Sequence, residues 1–210
     1  MRPRVLIRSM ILMLITFAGI VAFYVYSKPK PTQFPTTPTL LDTDNPYASL
    51  LIPAFKLTDS NNNTIDETIL DGQYTVIDFF YTSCPLICPT MSAAMRQVQD
   101  ATADTNLKLL SISIDPQVDT PEVIKNYSQA FQADPDRWQF VTGDMDTISI
   151  LLMGMSFDLG ALNTEDGFRN IDHPSTLILL GPDRHVIKLY RYSDPDQLAE
   201  LIETARKLAG

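Results

Sequence analysis

Cysteine and histidine are scarce in this chain: 210 residues hold two of each. Two sulfurs cannot build a disulfide-stapled scaffold, and none is needed, because a chain of this length with 45% hydrophobic residues buries a substantial core. Positive charge is scarce too, with sixteen Lys and Arg against twenty-five Asp and Glu, a formal net charge of -9. The first 46 residues carry five Lys or Arg against two Asp, so the remainder stands at -12. Binding a phosphate backbone requires a basic patch, so nucleic acid is not an expected partner. There is no internal repeat.

Uncharged length is concentrated at the N-terminus. Residues 9–26, SMILMLITFAGIVAFYVY, run for eighteen positions without a charge, the length of a membrane-spanning helix. The run ends in bulky AFYVY followed by Lys28 and Pro29, with no small-x-small cleavage site, so residues 1–27 read as a cytoplasmic tip and an uncleaved anchor. Arg2, Arg4 and Arg8 keep the tip in the cytoplasm, and Tyr24 and Tyr26 suit the opposite interface. Residues 28–46 are proline-rich and lack apolar periodicity, as in an extended linker. Residues 47–210 form the expected domain, facing a compartment where thiols meet oxidants.

Within that domain strand and helix patterns alternate. A continuous apolar run at 75–81, TVIDFFY, predicts a buried strand, followed by a helix at 89–102 with Pro89 in its first turn. A strand at 107–114 leads to a helix at 120–131, with Thr120 as cap and Pro121 at its first position. A strand at 138–143, a helix at 144–155, a loop at 156–172, a hairpin at 175–190 and a helix at 195–210 complete the chain. The order implies an α/β fold, a mixed sheet with a parallel core and helices on both faces. Ligands of such sheets bind at the carboxyl ends of the strands, where both cysteines fall.

Those cysteines lie in YTSCPLICPT, residues 81–90. At the start of a helix, unpaired amides and the helix dipole bring a thiol below its free pKa of roughly 8.5, so Cys84 and Cys88 are reactive by position. A five-residue loop constrains the unfolded chain little, which argues against an inert staple. The spacing accommodates either a redox disulfide or a shared metal ion. Of the histidines, His185 follows a Gly-Pro-Asp turn and reads as a solvent-facing hairpin residue, whereas His173 immediately precedes the 175–180 strand and is a candidate third ligand. Two thiolates and an imidazole suit copper as Cu(I), or as Cu(II) with an added oxygen; structural zinc normally takes a fourth protein ligand.

Three segments together, FFYTSCPLICPTM, SISIDPQVDTPE and DHPSTLILLGPD, resemble the Sco/SenC family of thioredoxin-like copper proteins that assist assembly of cytochrome c oxidase. The similarity covers roughly residues 51–209, and an anchor plus tether matches the family layout. The resemblance implies a thioredoxin-like mixed sheet flanked by helices and one copper ion held by Cys84, Cys88 and His173. Many members carry an acidic residue between the cysteines where Leu86 stands here, which removes a nearby negative charge and an outer hydrogen-bond acceptor. Asp115 and Asp119 match acidic positions of the family but stay off the ligand set, and Asp78 is a candidate buried carboxyl group near the cysteines.

The expected function is that of a copper chaperone, not an enzyme, anchored in a bacterial inner membrane with its domain on the extracytoplasmic side. Its expected partners are an upstream copper donor and subunit II of cytochrome c oxidase, whose binuclear centre receives the metal. The alternative is a thiol–disulfide oxidoreductase that reduces the cysteines of that subunit, with Cys84 attacking and Cys88 resolving. A peroxidase of the peroxiredoxin kind lacks its T-x-x-C motif, because Thr82 stands only two residues ahead of Cys84.

Overall fold

The apolar run TVIDFFY becomes the strand from which the sheet is organised. In the computed structural model of the chain the described residues are 47, 49–157, 162–163, 170–171 and 175–210. The expected anchor and linker, and His173, lie outside them. Among the described residues no helix is long and apolar enough to cross a membrane.

Nine strands and four α-helices are described. The strands are β1 (Lys56–Asp59), β2 (Thr64–Asp66), β3 (Thr75–Phe80), β4 (Lys108–Ser113), β5 (Trp138–Thr142), β6 (Leu162–Asn163), β7 (Asn170–Ile171), β8 (Thr176–Leu180) and β9 (Val186–Arg191). The helices are α1 (Ile87–Ala101), α2 (Pro121–Ala130), α3 (Met145–Gly154) and α4 (Pro195–Ala209). Seven strands form one mixed sheet in the order β2-β1-β5-β4-β3-β8-β9, while β6 and β7 form a separate antiparallel pair inside the expected 156–172 loop. β3, β4 and β5 are parallel neighbours, and β8 lies antiparallel to β3.

β3 is buried at all six positions, as a strand covered on both faces must be. Burying Val76, Ile77, Phe79 and Phe80 contributes on the order of 1.5–3 kcal/mol each relative to exposure. The crossovers from β3 to β4 and from β4 to β5 advance in the same direction, so their shared right-handedness puts α1 and α2 on one face. Ring contacts agree. Tyr127 of α2 stacks on Phe80 with centroids 5.1 Å apart, and its hydroxyl lies 3.0 Å from that of Ser92 on α1.

The helix ends follow local chemistry. Thr120, Asp144 and Asp194 cap α2, α3 and α4 through their side-chain oxygens, and Pro121 and Pro195 open their helices. α1 differs from its expected limits, beginning two residues earlier at Ile87, so that Cys88 lies inside the first turn. Because β3 and β4 are parallel, with Phe80 opposite Ser113, the turns leaving both strands lie side by side. That end of the sheet carries the cysteines.

Candidate functional site

After Phe80 the chain turns tightly, the Cys84 N–H donating to the Tyr81 carbonyl at 3.3 Å. Leu86 occupies the cap position of α1 and has no side chain to accept from the helix amides. A sulfur takes that role. The Cys88 N–H donates to Cys84 Sγ at 3.3 Å, so the sulfur stands where a cap oxygen usually does. Both cysteines are free thiols.

The two sulfurs titrate in opposite directions. Burial is the largest influence on Cys84 and opposes its ionisation, but the backbone N–H groups of Cys88 and Leu86, together with the Cys88 and Tyr81 side chains, hold its pKa below the ordinary value. Cys88 is pushed far above its usual range, first by burial and further by the neighbouring Cys84 and Asp78; a hydrogen bond with the Tyr81 backbone offsets this only in part. The pair is therefore unequal, with Cys84 the more readily ionised of the two.

Behind Cys88, on the face of the sheet that carries Phe80, Asp78 is fully buried. Ser111 Oγ donates to its Oδ1 at 2.5 Å and is itself held by Trp138 Nε1 at 2.8 Å. Asp78 Oδ2 has no hydrogen-bond partner. Burial raises the Asp78 pKa to about 7, against the lowering pull of Ser111. Asp78 is thus buried as the sequence indicated, but only half satisfied.

His185 is correctly excluded from the pair. It follows β8, whose last residue Leu180 pairs with Thr75 at the start of β3, so His185 lies at the end of the sheet opposite the cysteines. Its Nδ1 is 3.2 Å from an Asp183 carboxylate oxygen. Among the described residues no three His, Cys, Asp or Glu side chains gather closely enough to hold a metal. Tyr81, read from sequence only as the end of a strand, proves to face Cys84, and nothing in its sequence context distinguishes it from the aromatics before it.

The rim is apolar and open. Leu86 is 74% exposed and Ile87 40%, in a segment from Tyr81 to Thr90 that carries no charge, although the chain as a whole is acidic.

The family model described as SCO1/SenC matches residues 43–209. The chain belongs to the SCO1/SenC family. Among its curated relatives in that family, the SCO1 protein homolog of Bacillus subtilis (strain 168) is 29% identical over 138 residues, 65% of this chain and 70% of the relative. Among solved structures, copper-bound ScoI of Bradyrhizobium japonicum is 28% identical, with a TM-score of 0.64, covering 74% of this chain and 99% of its own. BsSco, described as a member of the Sco family of cytochrome c oxidase assembly proteins and as carrying a disulfide switch, is 26% identical, with a TM-score of 0.63 over 76% of this chain and 95% of its own. A thioredoxin-like mixed sheet with flanking helices is the fold this SCO1/SenC member shares with them.

Proposed function

We propose that this SCO1/SenC member is a membrane-anchored copper chaperone in which Cys84, Cys88 and His173 hold one copper ion and pass it to the binuclear centre of cytochrome c oxidase subunit II. The observation that carries the reading is the pair of cysteines outside any disulfide at the start of α1, with the Cys88 N–H donating to Cys84 Sγ at 3.3 Å. Two soft sulfur donors suit Cu(I), and an imidazole completes a three-ligand set. ScoI of Bradyrhizobium japonicum is described with copper bound. His173 stands three residues before Thr176, which opens β8 at the same end of the sheet as the cysteine turn. Three residues of chain reach about 10 Å.

Transfer proceeds by exchange of ligands. Cys84, at 6% exposure, is the sulfur nearer the surface, while Cys88 is wholly buried, so a thiolate from the receiving protein replaces Cys84 first. The uncharged rim at Leu86 and Ile87 lets an acidic or a neutral partner approach without repulsion. Residues 9–26 anchor the domain on the extracytoplasmic side of a bacterial inner membrane, where an upstream donor loads it. Titration of the reduced chain with Cu(I) is expected to end at one copper per chain. Stoichiometric binding that survives Cys84→Ala combined with His173→Ala contradicts the site.

The unequal thiols favour a second activity at the same pair. The Cys84 thiolate attacks a disulfide of the partner, forming a mixed disulfide and releasing one partner thiolate, which takes up a proton. Cys88 then loses its proton and displaces the other partner sulfur, leaving Cys84 and Cys88 oxidised to a disulfide and the partner reduced by two electrons. His173→Ala separates the two activities: it is expected to weaken Cu(I) binding at least about tenfold, measured by competition with a chromogenic chelator, while leaving the rate of disulfide reduction within about twofold.

A further inference from the structure

At the cysteine end of the sheet the carboxyl group of Asp119 accepts hydrogen bonds from two separate segments. It is wholly buried between the turn that leaves β3 and the turn that leaves β4. From the cysteine side it accepts the Thr82 N–H at 3.3 Å on Oδ1 and 3.2 Å on Oδ2, and the Thr82 hydroxyl donates to Oδ1 as well. From the β4 side Ser113 Oγ donates to Oδ2 at 2.6 Å, and the same Ser113 oxygen accepts the Asp115 N–H at 3.1 Å. The Asp119 backbone is fixed in turn, its N–H donating to the Asp115 carbonyl at 2.9 Å, and the next residue, Thr120, caps α2. Thr82 lies 37 residues from Asp119 in the chain and two residues before Cys84.

Burying a carboxyl group is unfavourable unless its oxygens are bonded, and here both are. Those bonds join two segments 37 residues apart in the chain. The cysteine turn has no polar cap of its own, because Leu86 supplies none and Cys84 Sγ accepts in its place. The Asp119 tie therefore adds, from outside the turn, a restraint to the turn's own bond from the Cys84 N–H to the Tyr81 carbonyl.

We propose that Asp119 is the positioning residue of the cysteine turn, clamping Thr82 to the end of β4 and the start of α2 so that Cys84 Sγ is held where it meets the amides of α1 and, on the copper reading above, the metal. Asp119 acts through Thr82, two residues before Cys84. Cutting the clamp releases the turn, moves Cys84 Sγ off the helix amides and weakens its thiolate character.

The test uses the full chain in detergent and compares wild type with Asp119→Ala, Asp119→Asn and Thr82→Val. Asn keeps an oxygen for Thr82 and donates to Ser113, whose hydroxyl turns to accept, so the conservative variant restores the clamp. One readout needs no metal, namely the initial rate at which iodoacetamide alkylates Cys84 at pH 7, followed by peptide mass. The other is the sulfur-to-copper charge-transfer absorption of the Cu(II)-loaded protein. Asp119→Ala is expected to slow Cys84 alkylation at least about tenfold and to shift the band, Thr82→Val to slow alkylation about threefold, and Asp119→Asn to stay within about twofold of wild type. A folded Asp119→Ala, with native far-ultraviolet circular dichroism, that matches wild type in both rate and band overturns the proposal. If Asp119→Ala does not fold, Thr82→Val decides: an unchanged rate and band overturn it equally. Wild type that takes up no copper refutes the copper reading, and the alkylation rates still judge Asp119.

Discussion

Iodoacetamide at pH 7 is expected to label Cys84 at least about a hundredfold faster than Cys88 in the reduced, metal-free protein. Alkylation follows the thiolate fraction and access to the sulfur, and both favour Cys84. Its sulfur receives amide donors at the start of α1 and is 6% exposed, whereas Cys88 is wholly buried with its pKa driven far up by that burial. The measurement is the initial labelling rate of the two cysteine-containing peptides. Equal rates would mean that the helix amides do not single out Cys84, and the order of events proposed for both copper transfer and disulfide exchange would lose its basis.

Asp78 is expected to weaken the fold by about 3 kcal/mol as pH rises from 5 to 8. Its carboxyl group titrates at about 7 in the fold, against an ordinary value of 3.8. In the fold it therefore binds its proton more tightly than in the unfolded chain. Stability is greatest where the group is protonated in both states, and it declines as pH rises from near 4 to near 7, because only the unfolded chain ionises freely there. Above pH 7 the folded form also ionises and the decline from this group ends. Asp78→Asn keeps an acceptor for Ser111 and cannot ionise, so its unfolding free energy should lose this part of the pH dependence. Denaturant unfolding of both proteins at pH 5 and pH 8 checks it. Identical pH dependence in wild type and variant would show that the Asp78 carboxyl group is not held protonated by burial.

Most of the sheet was legible because its signals are local. TVIDFFY is continuous and apolar, Thr120-Pro121 announces α2 through cap chemistry, and the apolar run with an acidic first turn after Gly143 announces α3; none of these needs a tertiary contact. The β1–β2 hairpin was not expected, since its strands are short and partly exposed and β1 is held by antiparallel pairing with β5, more than 80 residues away in the chain. Its turn runs through Asn61-Asn62-Asn63, where Asn62 adopts a φ of 65°. The early start of α1 was hidden for a chemical reason: cap rules look for a side-chain oxygen, and here a sulfur two residues before the cap position does the accepting. At the site, the closeness of the two cysteines and the exclusion of His185 were legible from spacing and turn chemistry. The tie from Asp119 to Thr82 was not, because it depends on the register of β3 against β4.

Copper K-edge X-ray absorption of the Cu(I)-loaded full chain tests the central claim most directly. Cys84, Cys88 and His173 together require two sulfur neighbours and one nitrogen, with one sulfur lost in Cys84→Ser and the nitrogen lost in His173→Ala. A metal surrounded by nitrogen and oxygen alone, or a sulfur count that Cys84→Ser leaves unchanged, would place the copper elsewhere and contradict the chaperone site.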